Sequence, residues 1–265
     1  MINTAAFSPA DILLPEVDDI NKWSVVACDQ YTSEPQYWQD VANCVGDAPS
    51  ALHMVFPELY LHDGNFDARI ARINGHMRDC LAGGVFRECR DSLIYVERTV
   101  ASGLVRRGII GKIDLLAYDY SKGSGSLVRA TEGTVLERIP ARVNIRKDAP
   151  LELPHVMLLI DDATDSVIAP LAANRDGMDP LYDFELMQGG GQIRGYHVPS
   201  SLHDGVFSAL ASLADSEQFE QRYGVSGRDP LLFAVGDGNH SLAAAKECYN
   251  SIAATLSPEQ ALAHP

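Results

Sequence analysis

The residues best suited to do chemistry stand in one run: Gly236, Asp237, Gly238, Asn239, His240 and Ser241. Five apolar residues, Leu231 to Val235, precede them, and a helix-forming stretch through Leu242, Ala245 and Tyr249 follows. The pattern predicts a buried strand, a sharp glycine turn and a helix starting near Asn239 or His240. Those are the parts of an anion site. The strand aims the turn at a sheet edge, the glycines let backbone amides approach a ligand, and the first-turn amides carry partial positive charge. Asn239 and Ser241 can cap the helix or donate to an oxygen, and His240 can donate to a phosphate oxygen. Asp237 can hold magnesium or accept a proton. The same residues also make an ordinary turn and N-cap, so an anion site and a structural turn both stay open. No Gly-Lys-Ser/Thr follows the turn and no GxGxxG is present, which excludes two common phosphate loops.

A second candidate is the CDQYTSE segment, which puts Asp29, Gln30, Thr32 and Ser33 between a strand and a helix, as ligand contacts or as caps. Gly189 to Gly191 have no helix after them and read as a flexible hairpin tip. The eight histidines form no HxH or HExxH pair, and the five cysteines no CxxC, so a zinc or dithiol site is not expected. Cys28 has no basic neighbour in sequence to activate it and reads as a structural thiol.

These residues need a scaffold, and 265 residues at 46% hydrophobic supply one large domain or two small ones. With no Pro/Ser-rich linker, the expectation is a single domain over 1–265 with a long hairpin-bearing insertion. Cysteine usage and the lack of a leader or a long apolar run point to a reduced, cytoplasmic protein with no membrane partner. The net charge of −15, from 36 acidic against 21 basic residues, repels a nucleic-acid backbone. A small phosphorylated ligand is still admissible where amides, an arginine and a magnesium ion reverse the field locally.

Helical and extended patterns alternate irregularly, which predicts an α+β fold around a mixed sheet. Expected strands are Trp23 to Cys28, Leu93 to Thr99, Arg107 to Tyr118, one entering Arg129, His155 to Ile160, and Leu181 to Met187 paired with Gln192 to Val198. Expected helices run through Tyr37, Trp38 and Val41 after a Ser33/Gln36 capping box, along the Phe66, Ile70, Ile73, Met77 and Leu81 face, from Ser201 to Leu213, and around Glu217 to Arg222.

The Asp237 to His240 run resembles the DGHHR-type motif of the bacterial and archaeal family catalogued as domain of unknown function 1015. WSVVACDQYTSEPQYW, RRGIIGKIDLLAYDY, RATEGTVLERIPARVNIR and LPHVMLLIDD resemble further segments of that family, in order, over nearly the whole chain. The resemblance extends distantly to the ParB and sulfiredoxin-like fold, with its nucleotide-binding proteins and a free-serine kinase. It implies a nucleotide, ATP, ADP or another, bound with magnesium, and phosphoryl transfer to a small acceptor. The alternative is a non-catalytic binding module or switch. On the motif, Asn239 replaces the first histidine and Ser241 stands where many relatives have arginine; Arg129, Arg138 or Arg142 is then the expected source of a guanidinium. Glu132, just after a strand, aligns with a charged turn that can hold a general base, or is a solvated carboxylate. Family members commonly extend beyond Pro265, which implies a truncated chain.

Overall fold

The computed structural model describes residues 6–27, 31–153, 156–262 and 264. In chain order it contains β1 (Phe7–Ser8), β2 (Ala10–Pro15), α1 (Ile20–Trp23), α2 (Pro35–Val45) and α3 (Phe66–Ala82). Next come β3 (Phe86–Thr99), β4 (Val105–Ile110), β5 (Lys112–Ile113), β6 (Tyr118–Asp119), β7 (Val128–Ala130), α4 (Ile139–Arg146), β8 (Met157–Leu159) and α5 (Ala169–Asn174). The remaining elements are β9 (Asp179–Leu186), β10 (Gly191–Val198), α6 (His203–Leu213), α7 (Ser216–Tyr223), β11 (Phe233–Asp237), α8 (Asn239–Ala253) and α9 (Pro258–Leu262).

The fold is α+β, and the sheet that carries the glycine turn is mixed. Its order is β6-β7-β11-β8, with β7 parallel to both β6 and β11 and β8 antiparallel to β11. A second, antiparallel sheet runs β2-β3-β10-β9, with β4 also on β3. β3 is long enough to serve both: its first half pairs β2 and its second half pairs β4 and β10. A continuous apolar run suits a strand flanked on both sides, and β11 fits that description, with Val235 fully buried. One buried cluster joins the two sheets, from Leu93 and Tyr95 on β3 through Val198 on β10 to Val128, Val235 and Leu242.

The elements on which the turn depends form where the sequence places them. β11, the start of α8, β7, the β9/β10 hairpin, α3, α6 and α7 match their forecasts within a few residues; the β3/β4 pair forms around the expected turn, but β3 begins at Phe86, well before the expected Leu93. Gly83 caps α3 and Gly84 turns the chain at φ +65°.

Three expectations fail for identifiable reasons. Trp23 to Cys28 is no strand over its described part: Trp23 ends α1, and 24–27 is irregular. Its carbonyls are satisfied by side chains instead, Trp23 O by Ser50 Oγ at 3.2 Å and Val26 O by the Tyr37 hydroxyl at 2.5 Å. Its apolar residues feed two separate clusters, Trp23 beside Met54 and Met77, Val25 beside Val41 and Met187. The Ser33 capping box does not form either. Glu34 is the N-cap, Pro35 occupies the first turn, and Gln36 reaches forward to Asp40 at 2.8 Å. Finally, Arg107 to Tyr118 is broken at Gly111, where an added Cβ would lie 2.4 Å from the Phe7 ring, and the chain leaves β4 to pair β5 with β1. His155, the expected start of β8, lies outside the described residues, as do Cys28, Asp29 and Gln30.

The β9/β10 tip gives a test of what its glycines do. Gly189 has φ +68° and open space where a side chain would extend, whereas a Cβ on Gly191, φ +87°, would meet Thr99 O at 1.9 Å. Gly189→Ala is expected to cost about 1 kcal/mol of backbone strain, and Gly191→Ala roughly 3 kcal/mol because the β3 backbone must also move. Urea unfolding midpoints compare the two; equal losses would show that the close approach to β3 has no energetic weight.

Candidate functional site

The turn is built from its neighbours upward. β11 delivers Asp237 to the sheet edge, and Gly238, at φ +87°, adopts the left-handed conformation that glycine takes without a Cβ penalty. As N-cap, Gly238 offers only its carbonyl, which accepts from Leu242 N at 2.9 Å. The amides of Asn239, His240 and Ser241 therefore have no acceptor within the helix. Two contacts fix the junction: the Thr131 hydroxyl donates to Val235 O at 2.7 Å, and the buried Tyr118 hydroxyl reaches Asn239 O at 3.4 Å. On the far side Leu242, Ala243 and Ala245 are buried and seat α8 against the core.

This helix start forms one wall of a cavity of about 230 Å³. Gly236, Asp237, Gly238, Asn239, His240 and Ser241 all line it, with Glu132 and Thr32. The facing wall is α4 and the residue before it: Arg138, Arg142 and Arg146 recur every fourth residue, so one helical face presents all three, and all three line the cavity. Trp38, Phe56, Ile73 and Met77 supply an apolar side.

Carboxylates hold two of these cations in place. Arg142 is ion-paired with Glu58, and Arg146 with Glu152. Arg142 also donates to Arg138 O at 2.9 Å. Arg138 has no ion-pair partner among the described residues and is exposed. His240 Nε2 accepts from Val135 N at 3.1 Å, so the neutral ring carries its proton on Nδ1. Asn239 is buried and its Nδ2 points to Glu132 Oε1 at 3.4 Å. Among the described residues no group of three or more His, Cys, Asp or Glu is arranged to hold a metal, and no helix is long and apolar enough to cross a membrane.

A family model described as protein of unknown function (DUF1015) matches residues 10–264. The chain belongs to that family. No curated protein and no solved structure matches it.

In this DUF1015 chain the expected site residues divide clearly. Asp237, Gly236, Gly238, Asn239, His240, Ser241, Glu132, Arg142 and Thr32 meet at the cavity, while Ser33 is exposed and is not among its lining residues. Arg129 is held elsewhere. Its guanidinium donates to Ser124 O at 3.3 Å, Asp229 O at 3.1 Å and Pro230 O at 2.6 Å, tying the lead-in of β11 to the loop before β7. Burial lowers its pKa, although the Asp229 charge opposes the shift. Sequence reasoning missed Glu58, Arg146, Glu152 and the aromatic side. The spacing of Arg138, Arg142 and Arg146 was a legible signal for a cationic helix face, whereas nothing in the sequence links Glu58 to it.

The separate placement of Arg129 yields a prediction. Arg129→Met leaves three carbonyls without their donor and is expected to cost about 2 kcal/mol of stability. Any increase in melting temperature that pyrophosphate produces in the unsubstituted protein should persist, within error, in this variant. Losing that increase while keeping stability would assign Arg129 to the ligand.

Proposed function

We propose that this protein binds a nucleotide or another small phosphorylated ligand, with magnesium, in the cavity between the start of α8 and α4, and passes a phosphoryl group to a small acceptor. The observation that carries this reading is the convergence of two unlike anion-binding elements on one space, first-turn amides from α8 and guanidinium groups from α4. Glu58, Glu132, Glu152 and Asp237 line the same space beside the three arginines, so in a chain of net charge −15 an anion would be held by local geometry and by the magnesium ion, not by an excess of positive charge. At about 230 Å³ the cavity is smaller than the roughly 300–1,000 Å³ that encloses a drug-sized ligand. It fits a phosphate group with a short organic portion, or the phosphate end of a nucleotide whose base lies at the apolar side.

Magnesium suits the donor set. The ion takes one or two carboxylates and completes its shell with phosphate oxygens and water, so Asp237 suffices where no protein cage exists. When bound it would neutralise charge on the transferring phosphoryl group. The residues' own contribution is orientation and proton handling: α8 amides and Ser241 hold equatorial oxygens, Arg138 and Arg142 close over them, and Glu132 or Asp237 accepts the acceptor's proton.

One observation favours the second reading, a binding switch without turnover. Arg142 and Arg146 already carry carboxylate partners, so an entering anion must compete with Glu58 and Glu152, and their release can move the 51–61 and 149–153 segments instead of driving chemistry. A thermal-shift panel of ATP, ADP, CTP and GTP with magnesium, followed by product analysis over hours with a range of acceptors, separates the possibilities. Stabilisation with product supports transfer, stabilisation without product supports the switch, and an unchanged melting temperature across the panel rejects both.

Arg138 gives the cleanest substitution. Because it is exposed and has no ion-pair partner among the described residues, Arg138→Ala should change stability by less than about 0.5 kcal/mol. It should nevertheless weaken binding of the phosphorylated ligand about tenfold, as measured by calorimetry. Unaltered affinity would remove Arg138 from the site.

A further inference from the structure

Asn239 stands within the turn proposed to grip phosphate, but its side chain is turned to a different task. It is 5% exposed and lines the cavity. Its Nδ2 is committed to Glu132 Oε1 at 3.4 Å, and its Oδ1 is buried with no hydrogen-bond partner among the described residues. Rotating the amide by half a turn would set its oxygen against the Glu132 carboxylate, two acceptors face to face, so the network fixes the orientation. A carbonyl oxygen cannot hold a phosphate oxygen, because both are acceptors. It needs an N–H or O–H, and an acceptor buried without one is costly to keep.

We infer that the ligand carries a hydroxyl or amine near its phosphate and that Asn239 is the residue that selects it. The donor meets Asn239 Oδ1, while the α8 amides and the α4 guanidinium groups hold the phosphate. Glu132 stands at the same corner as a second acceptor: it complements the charge of an ammonium, or accepts from a hydroxyl. The ligand class is therefore a small organic phosphate with an adjacent donor, in preference to inorganic phosphate or an unsubstituted phosphate ester. This rests on the phosphate-binding reading above, and sharpens it by naming what the non-phosphate end must contain.

The test uses matched esters, so that only the donor changes. Ethyl, propyl and butyl phosphate are compared with their terminal hydroxy and terminal amino counterparts by calorimetry on the full chain with magnesium. At one chain length the substituted ester should bind about tenfold or more tighter than the plain one, because a site built to pair a donor rejects the analogue that lacks it. Which series shows the gain, hydroxy or amino, identifies the donor. In Asn239→Leu the ratio between substituted and plain ester should fall to near one; should that variant not fold, the series on the unsubstituted protein decides alone. Equal affinities for plain and substituted esters, or a ratio that persists in Asn239→Leu, would overturn the role of Asn239 while leaving the phosphate site standing. No binding by any ester or by pyrophosphate would overturn the phosphate site as well.

Discussion

The left-handed turn at Gly238 is the constraint from which the rest follows. It converts β11, a strand buried between β7 and β8, into α8 within two residues, and it does so without a capping side chain. A serine or aspartate at the cap would fold its oxygen back onto the first-turn amides and satisfy them internally. Glycine places no side-chain oxygen of its own over them, at a modest cost in helix stability. The junction is also tied to its neighbours: the Thr131 hydroxyl donates to the end of β11, the Tyr118 hydroxyl reaches the first residue of α8, and Val235 is fully buried beneath. A site of this kind is preorganised on its α8 side, so little of the binding energy would be spent on ordering it.

The opposite wall obeys a different constraint. Three arginines on one face of α4 repel one another and cannot be left beside a small cavity without compensation. Glu58 and Glu152 provide it for Arg142 and Arg146 and hold the guanidinium groups in defined positions. Partly buried pairs of this sort add little net stability, because desolvation offsets most of the attraction. Their effect is to keep the cavity near neutrality while retaining cations that an entering anion can recruit. The acidity of the chain as a whole and the cationic wall are thus compatible, since screening and distance confine each to its own range.

What could be read from the sequence depended on whether the chemistry was contiguous. The strand, turn and helix from Phe233 to Ala253 are encoded locally, by an apolar run, a glycine pair and a helical apolar face, and the structure follows them closely. The second wall is not local. Glu58 and Arg142 are far apart in the chain, and only the tertiary fold brings them to the same space. Arg129 shows the same limit from the other side. Among several arginines near the motif nothing in its neighbours marked it as the one spoken for, because its partner carbonyls at Asp229 and Pro230 are about a hundred positions away. Trp23 to Cys28 misled for a further reason: an apolar run can be divided between two clusters by a loop as readily as it can be buried in one sheet, and composition does not distinguish these.

The serine at position 241 is best understood in the light of that second wall. A guanidinium on α8 itself would approach a bound anion from the same side as the helix amides and crowd them. Supplied from α4, the guanidinium comes from across the cavity, and an anion bound there as proposed would be held between two elements instead of resting on one. This requires α4 and α8 to lie close, and the alanines of α8 allow it: Ala244 is buried and also lines the cavity, and Cys248 lies within 4.0 Å of Val143 O on α4. The small residues that look like plain helix formers in the sequence therefore set the width of the site. A larger side chain at position 244 would push α4 outward and carry Arg138 and Arg142 away from the helix start, without touching any of the residues that carry charge.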